Sequence, residues 1–300
     1  MRRSICALAI VLALGLPALS QGTAGFLGME VVFTAGPPPT LSTAVSVGLF
    51  CGPAKIESRT IFPVLPTFGP LAEILTLEVN FAPVLFRTGL RFDPCFSRYW
   101  FELRGGCCPL ELGGLFLVEN LAPVCQTPSW TIGLVLDLGL KLDCCFALRS
   151  LTGFGVTDLY NLIDNNPYTD VTAVPWWFFE EELIFMGFGN PAFSLESLVL
   201  FTPGGFSWWE FGVAYRFADP WAELGFRARV GWFTLNWAKL ILGVRVDPVL
   251  VRLTTTFDLW GFLAQEVWVE LAFSWVRLYS GTEFNFSGLV RQVVGFEFRF

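Results

Sequence analysis

Histidine is absent from the 300-residue chain. With it goes the imidazole base on which Ser-His-Asp and Cys-His hydrolysis depend, so hydrolases of those kinds are excluded. Zinc-like spacing is missing too: no CxxC occurs, and the scattered cysteines read as disulfides or buried thiols rather than metal ligands. Charge is scarce, at 15% Asp, Glu, Lys and Arg, against roughly 25% in ordinary soluble domains. No unbroken apolar run long enough for a membrane helix follows the N-terminal segment. The longest charge-free stretch, 31–54, is interrupted by Pro37-Pro38-Pro39, Gly48 and Gly52-Pro53, whereas a spanning helix needs about 20 continuous apolar residues.

What is present is oil. Hydrophobic residues make up 54% of the chain and aromatics 16%. A chain this apolar precipitates unless lipid or a partner covers it. With spanning helices excluded, the remaining structure that satisfies every backbone group in lipid is a closed barrel of strands.

The N-terminus has the marks of export. Met1-Arg2-Arg3 is basic, an apolar run covers 5–16, and Ala18-Leu19-Ser20 supplies small residues for cleavage. Residues 1–20 therefore read as a secretory signal peptide and 21–300 as one domain. No cysteine follows the cleavage point directly, which argues against a lipid anchor. Removing Arg2 and Arg3 leaves 17 basic residues against 26 acidic ones, so nucleic acid is not an expected partner.

Period-two alternation runs through most of the remainder. Trp130, Ile132, Leu134, Leu136, Leu138, Leu140 and Leu142 alternate with Thr131, Gly133, Val135, Asp137, Gly139, Lys141 and Asp143, a spacing that a helix would scatter around its circumference. Leu75 to Phe81, Phe86 to Phe92, Tyr99 to Leu103, Trp209 to Phe217, Leu224 to Trp232, Leu240 to Val246, Val251 to Phe257 and Val267 to Trp275 read alike. Short breakers such as Asp93-Pro94, Pro203-Gly204-Gly205 and Asp247-Pro248 fall between them. The expectation is an all-β fold, a closed antiparallel transmembrane β-barrel of about 14–16 strands joined by short hairpin turns. The strand signal is weakest over 28–50 and 110–119. Residues 63–70 read as a proline-rich loop, and 153–175 as an outer loop or a plug folded into the barrel.

The chain ends in a strand whose apolar face is Val294, Phe296, Phe298 and Phe300. Together with the signal segment and the alternating hairpins, this resembles a bacterial outer-membrane β-barrel protein, at the level of the superfamily and of no particular family. The resemblance implies lipid and the barrel-assembly machinery as partners, with the terminal Phe strand as the assembly signal. It also implies small solutes as cargo and a monomer or homo-oligomer. No cofactor, catalytic residue or metal site is expected.

The polar faces carry a charge ladder. Its positive members are Arg87, Arg91, Arg104, Lys141, Arg216, Arg227, Arg229, Lys239, Arg245, Arg252, Arg291 and Arg299. The negative ones are Glu78, Asp93, Glu102, Asp137, Glu210, Glu223, Asp258, Glu266, Glu270 and Glu297. One reading is a porin-like channel for small solutes with a mixed-charge lumen, in which Arg227 and Arg229 form the electropositive spot. The other is a salt-bridged network that closes a structural, non-conducting barrel. A third possibility is an exported soluble β protein whose apolar faces pack together.

Smaller features have bland readings beside functional ones. Glycines at 89, 133, 139, 212, 225, 231, 243 and 295 leave room for a ligand, or serve strand coiling. Trp130, Trp176-Trp177, Trp221, Trp232, Trp237, Trp260 and Trp275 read as membrane-surface girdles, while Trp100, Trp208 and Trp268 point inward, to fill the interior or stack on sugars. Glu180-Glu181-Glu182 reads as a strand end in solvent. Asp158, Asp164, Asn165, Asn166 and Asp170 lack EF-hand spacing and read as loop.

Overall fold

A computed structural model describes residues 24–65, 72–92, 97–120, 130–142, 145–163, 171–174, 178–218 and 221–300. The expected signal segment lies outside these residues. In chain order the strands are β1 Ala24–Thr34, β2 Thr40–Cys51, β3 Ala54–Leu65, β4 Ala72–Phe81, β5 Val84–Phe92, β6 Ser97–Cys107, β7 Leu110–Asn120, β8 Trp130–Leu142 and β9 Phe146–Phe154. Two short strands follow, β10 Val156–Thr157 and β11 Thr172–Ala173, with a 3-10 turn at Leu159–Leu162 between them. The second half comprises β12 Phe179–Gly189, β13 Phe193–Thr202, β14 Gly205–Ala218, β15 Trp221–Val230, β16 Leu235–Val246, β17 Val249–Asp258, β18 Gly261–Ala272, β19 Val276–Asn285 and β20 Gly288–Arg299.

All strands except β10 and β11 form one antiparallel sheet of eighteen, each paired with its neighbours in sequence and β9 with β12. β20 pairs with β1, Arg299 opposite Phe26, and this closes the barrel. Gly25 donates to the Phe300 carbonyl at 2.7 Å and Phe300 donates back at 3.0 Å. The strands run 9 to 14 residues. At about 3.3 Å per residue and a tilt near 40°, an eleven-residue strand rises about 28 Å, the hydrocarbon thickness of a bilayer.

The count is eighteen, above the 14–16 expected. The stretch 28–50 divides into β1 and β2 around the turn at 35–39, and the weakly patterned 110–119 is β7. Pro63 is part of β3, opposite Ser42 beside a register shift, rather than the start of a loop; a bulge is one of the few places a strand tolerates proline. The turns are also unequal. At the end carrying both termini each described connection is two or three residues, while at the far end the first five are longer and the longest spans 155–178.

Which face is wet follows from the register. Cross-strand partners share a face, and the pairing carries one inward set around the circle without a slip. All seventeen lysines and arginines beyond Arg3 fall on that inward set. Outward positions hold Phe101, Leu103, Leu138, Tyr215, Phe217, Leu224 and Leu242, all more than a third exposed. Oil lies outside and charge inside, so the face-to-face packing of a soluble sandwich does not occur. The register puts Val294, Phe296 and Phe298 on the oily outer face.

Candidate functional site: the lumen

The interior is divided. Its first half is filled by residues 155–163 and 171–174, described parts of the connection between β9 and β12, which lie inside the barrel. Val156, Leu159, Leu162, Val171 and Ala173 of this segment pack with inward residues of the wall, among them Leu117, Val135, Leu151, Leu183 and Leu198. Each of these large apolar side chains contributes about 1.5–3 kcal/mol on leaving the water of the lumen. Three carboxylates on the wall pin the segment. Glu119 Oε2 accepts from the Ala173 amide at 2.9 Å, Glu181 Oε2 from the Leu159 amide at 2.9 Å, and Glu210 Oε1 from the Tyr160 hydroxyl at 3.3 Å. Glu119 is wholly buried and is also paired with Arg98. Glu181 thus turns into the interior and anchors the segment, correcting the view of 180–182 as a strand end in solvent; Glu182, on the outer face, accepts from the Ser150 hydroxyl at 3.4 Å.

Tyr160 is the tip of the segment. Its ring packs edge-on against Trp208, at 5.5 Å between centroids. The Arg229 guanidinium lies 4.5 Å from the Tyr160 ring, 3.9 Å from Trp208 and 5.1 Å from Trp237, and Arg229 also bonds Glu210 at 2.9 Å. Arg229 therefore ties the inserted segment to the wall. Trp221 and Trp237 face inward and leave the expected girdle. Trp130, Trp232, Trp260 and Trp275 sit exposed at strand ends and turns, and Trp176-Trp177 lie outside the described residues.

The second half of the interior holds a cavity of about 900 Å³ between Tyr160 and the wall of β13 to β19. The register turns Arg87, Arg91, Arg104, Glu210, Arg216, Glu223, Arg227, Arg229, Lys239, Arg245 and Arg252 inward. They do not form one site. Arg87, Arg91 and Arg104 belong to the opposite wall, where Arg87 bonds Glu78 at 2.7 Å. The strip β14 to β17 carries Arg216, Arg227, Arg229, Lys239, Arg245 and Arg252 against three carboxylates, Glu210, Glu223 and, at the end of β17, Asp258. Arg227 is paired with Glu196 of β13, so the Arg227/Arg229 spot is largely neutralised. Among the described residues Lys239 and Arg245 make no ion pair.

Five inward cations had not been picked out from the sequence: Lys55, Arg59, Arg98, Arg149 and Arg277. Arg59 bonds Glu30 at 3.0 Å, Arg149 holds Asp137 at 2.7 Å, and Arg277 bonds Glu270 at 2.7 Å. The lumenal glycines have a further role. A Cβ at Gly89 would collide with Trp100, at Gly281 with Trp268, at Gly295 with Tyr279, and at Gly133 with Val156. Glycine opposite a large ring lets the ring lie flat on the wall instead of across the lumen. Cys51, Cys107 and Cys108 are exposed, unbridged thiols at turns of the terminus end; Cys95, Cys125 and Cys144 fall outside the described residues. No group of three or more metal-ligating side chains occurs among the described residues.

No known family's sequence profile matches the chain, and no curated protein matches it. Solved structures do. One, described as "Asymmetric conductivity of engineered proteins", aligns with 93% of this chain and 99% of its own at 10% identity, with a TM-score of 0.50. A triple mutant of the porin of Rhodopseudomonas blastica aligns over the same shares at 12% identity, with a TM-score of 0.49. The chain has the fold of an outer-membrane β-barrel.

Proposed function

We propose that this protein is a porin-like channel of the bacterial outer membrane, passing small solutes through a mixed-charge lumen narrowed by residues 155–163 and 171–174. The short turns beside the termini then face the periplasm, and the barrel is a channel rather than an enzyme. The observation that carries the reading is the cavity of about 900 Å³, lined by charged and polar side chains, between Tyr160 and the β14 to β17 strip. Lipid covers the outer face. Val294, Phe296, Phe298 and Phe300 are read by the assembly machinery.

The competing reading, a sealed structural barrel, draws on the ion pairs that line the lumen wall, such as Arg252 with Glu223 at 3.0 Å and Arg229 with Glu210 at 2.9 Å. Current through a planar bilayer separates the two. The channel reading expects discrete conductance steps and a preference for chloride over potassium, because the strip has more cations than carboxylates. Arg245→Glu combined with Arg252→Glu should move the reversal potential in a salt gradient toward the potassium value. A purified barrel that inserts yet stays silent would leave the structural role alone.

A further inference from the structure

One row of side chains crosses the cavity wall. Successive cross-strand partners from β14 to β19 are Arg216, Glu223, Gly243, Arg252, Trp268 and Gly281, each about 4.8 Å from the next strand. Charge along this row does not balance. Glu223 accepts from Arg216 at 3.2 Å on one oxygen and from Arg252 at 3.0 Å on the other. One carboxylate thus serves two guanidiniums, and the Arg252 side chain still keeps 45% of its surface open. Arg245, two residues from Gly243 and lining the same cavity, adds a third guanidinium. Glu270, which feels the charge of Arg245, is already bonded to Arg277 at 2.7 Å. A network built only to brace the barrel would gain by neutrality. With Glu266, two residues from Trp268 on the same face, counted as well, the cavity lining carries six cations against four carboxylates, so two positive charges are in excess, and like charges held together cost stability.

Beside them lies a flat aromatic face. Trp268 occupies the space above Gly281, where any Cβ would strike it. It stacks on Tyr279 at 5.4 Å between centroids and 18° between planes. Trp268 lines the cavity directly across from Arg252. A half-buried indole lining the cavity next to an under-paired guanidinium matches a ligand that is itself a ring with an anionic group attached. The cavity volume lies within the range of about 300–1,000 Å³ usual for small-molecule sites.

We propose that this row binds a ring-bearing organic anion, the ring lying on Trp268 and its carboxylate reaching Arg252 and Arg245. The proposal names a solute class for the channel above and rests on that reading. Salt-assisted contacts to Arg252 fix the anionic end, and the indole supplies a face for either a sugar or a benzene ring.

The test is calorimetric titration of the full chain in lipid nanodiscs, with bilayer currents recorded on the same preparation. The probes are D-glucuronate and benzoate, which combine a ring with a carboxylate, then glucose, a ring alone, and acetate, a carboxylate alone. At least one ring acid should bind about tenfold more tightly than acetate and than glucose, and the preferred ring tells sugar acids from aromatic acids. Trp268→Ala should weaken that binding roughly three- to tenfold, and Arg252→Gln roughly tenfold or more. Trp268→Phe, which keeps a flat face, should retain most of it, and Lys141→Gln on the far wall should change nothing. Equal affinity for acetate and the ring acids, or ring-acid binding unaltered by Trp268→Ala, overturns the proposal. A barrel that conducts but binds no ring acid defeats the site and spares the channel; one that binds but never conducts does the reverse.

Discussion

Glu119→Ala is expected to release the inserted segment from the wall and to raise the single-channel conductance, with noisier open levels. One oxygen of Glu119 holds the amide of Ala173 at 2.9 Å, and the other is paired with Arg98. Both side chains are more than nine-tenths buried. Removing the carboxylate breaks this buried pair on one side, a loss of about 3–5 kcal/mol. The eighteen-strand hydrogen-bond ladder is untouched, so the strain falls on the part with the fewest backbone bonds, β10 to β11. The double replacement Arg98→Met with Glu119→Leu removes both charges. It should recover most of the thermal stability, because apolar side chains of similar size replace a buried pair at little cost, yet leave the conductance raised, because the amide of Ala173 still lacks its acceptor. Conductance unchanged in both variants would mean that the segment does not depend on this anchor.

Gly89→Ala is the second large effect. The new methyl would overlap the six-membered ring of Trp100, which is 2% exposed and packed in the apolar cluster under the inserted segment. Neither strand can retreat, since Gly89 and Trp100 are direct partners in the ladder and the Thr88 hydroxyl donates to the Trp100 carbonyl at 2.9 Å. Overpacking of this kind costs about 1–3 kcal/mol, and the ring can move only toward the segment. Denaturant unfolding of the detergent-solubilised barrel should show a lowered midpoint. Gly114→Ala is the control: its methyl would meet only the Val135 carbonyl oxygen at 3.7 Å, an ordinary contact. Equal midpoints for the two variants would contradict the flat-ring account.

Where the alternation failed in the sequence, the reason is physical. β8 is plain because its outer face is nearly all leucine and most of its inner face is polar or glycine. β7, β9, β12 and β13 lie behind the inserted segment, which gives their inner faces a dry partner. Leu115, Leu117, Leu151, Leu183, Leu198 and Leu200 are therefore buried on the inside, and with apolar residues on both faces the period of two disappears. β3 fails for the opposite cause: its outer face includes Ser58 and Thr60, so hydroxyls interrupt the oily stripe. Arg59, Arg98 and Arg149 went unread because they lie on such strands or at the fringe of a recognised one. The inserted segment was visible as irregular sequence, but nothing in 153–175 told that it would point inward; that depends on Glu119, Glu181 and Glu210, up to 54 residues away from the atoms they hold. The excess of cations on one strip was likewise hidden, since it requires knowing which carboxylate each arginine meets.

The arrangement of oil and water is what everything else depends on, and β14 exposes it most simply. In a background with the native cysteines replaced by serine, single cysteines placed in turn from Trp209 to Arg216 would carry nitroxide labels in lipid vesicles. Labels at 209, 211, 213 and 215 should collide with oxygen dissolved in the bilayer, and labels at 210, 212, 214 and 216 with a water-soluble nickel chelate. The opposite phase, or accessibility without a period of two, would contradict a barrel with lipid outside and a hydrated, charged lumen.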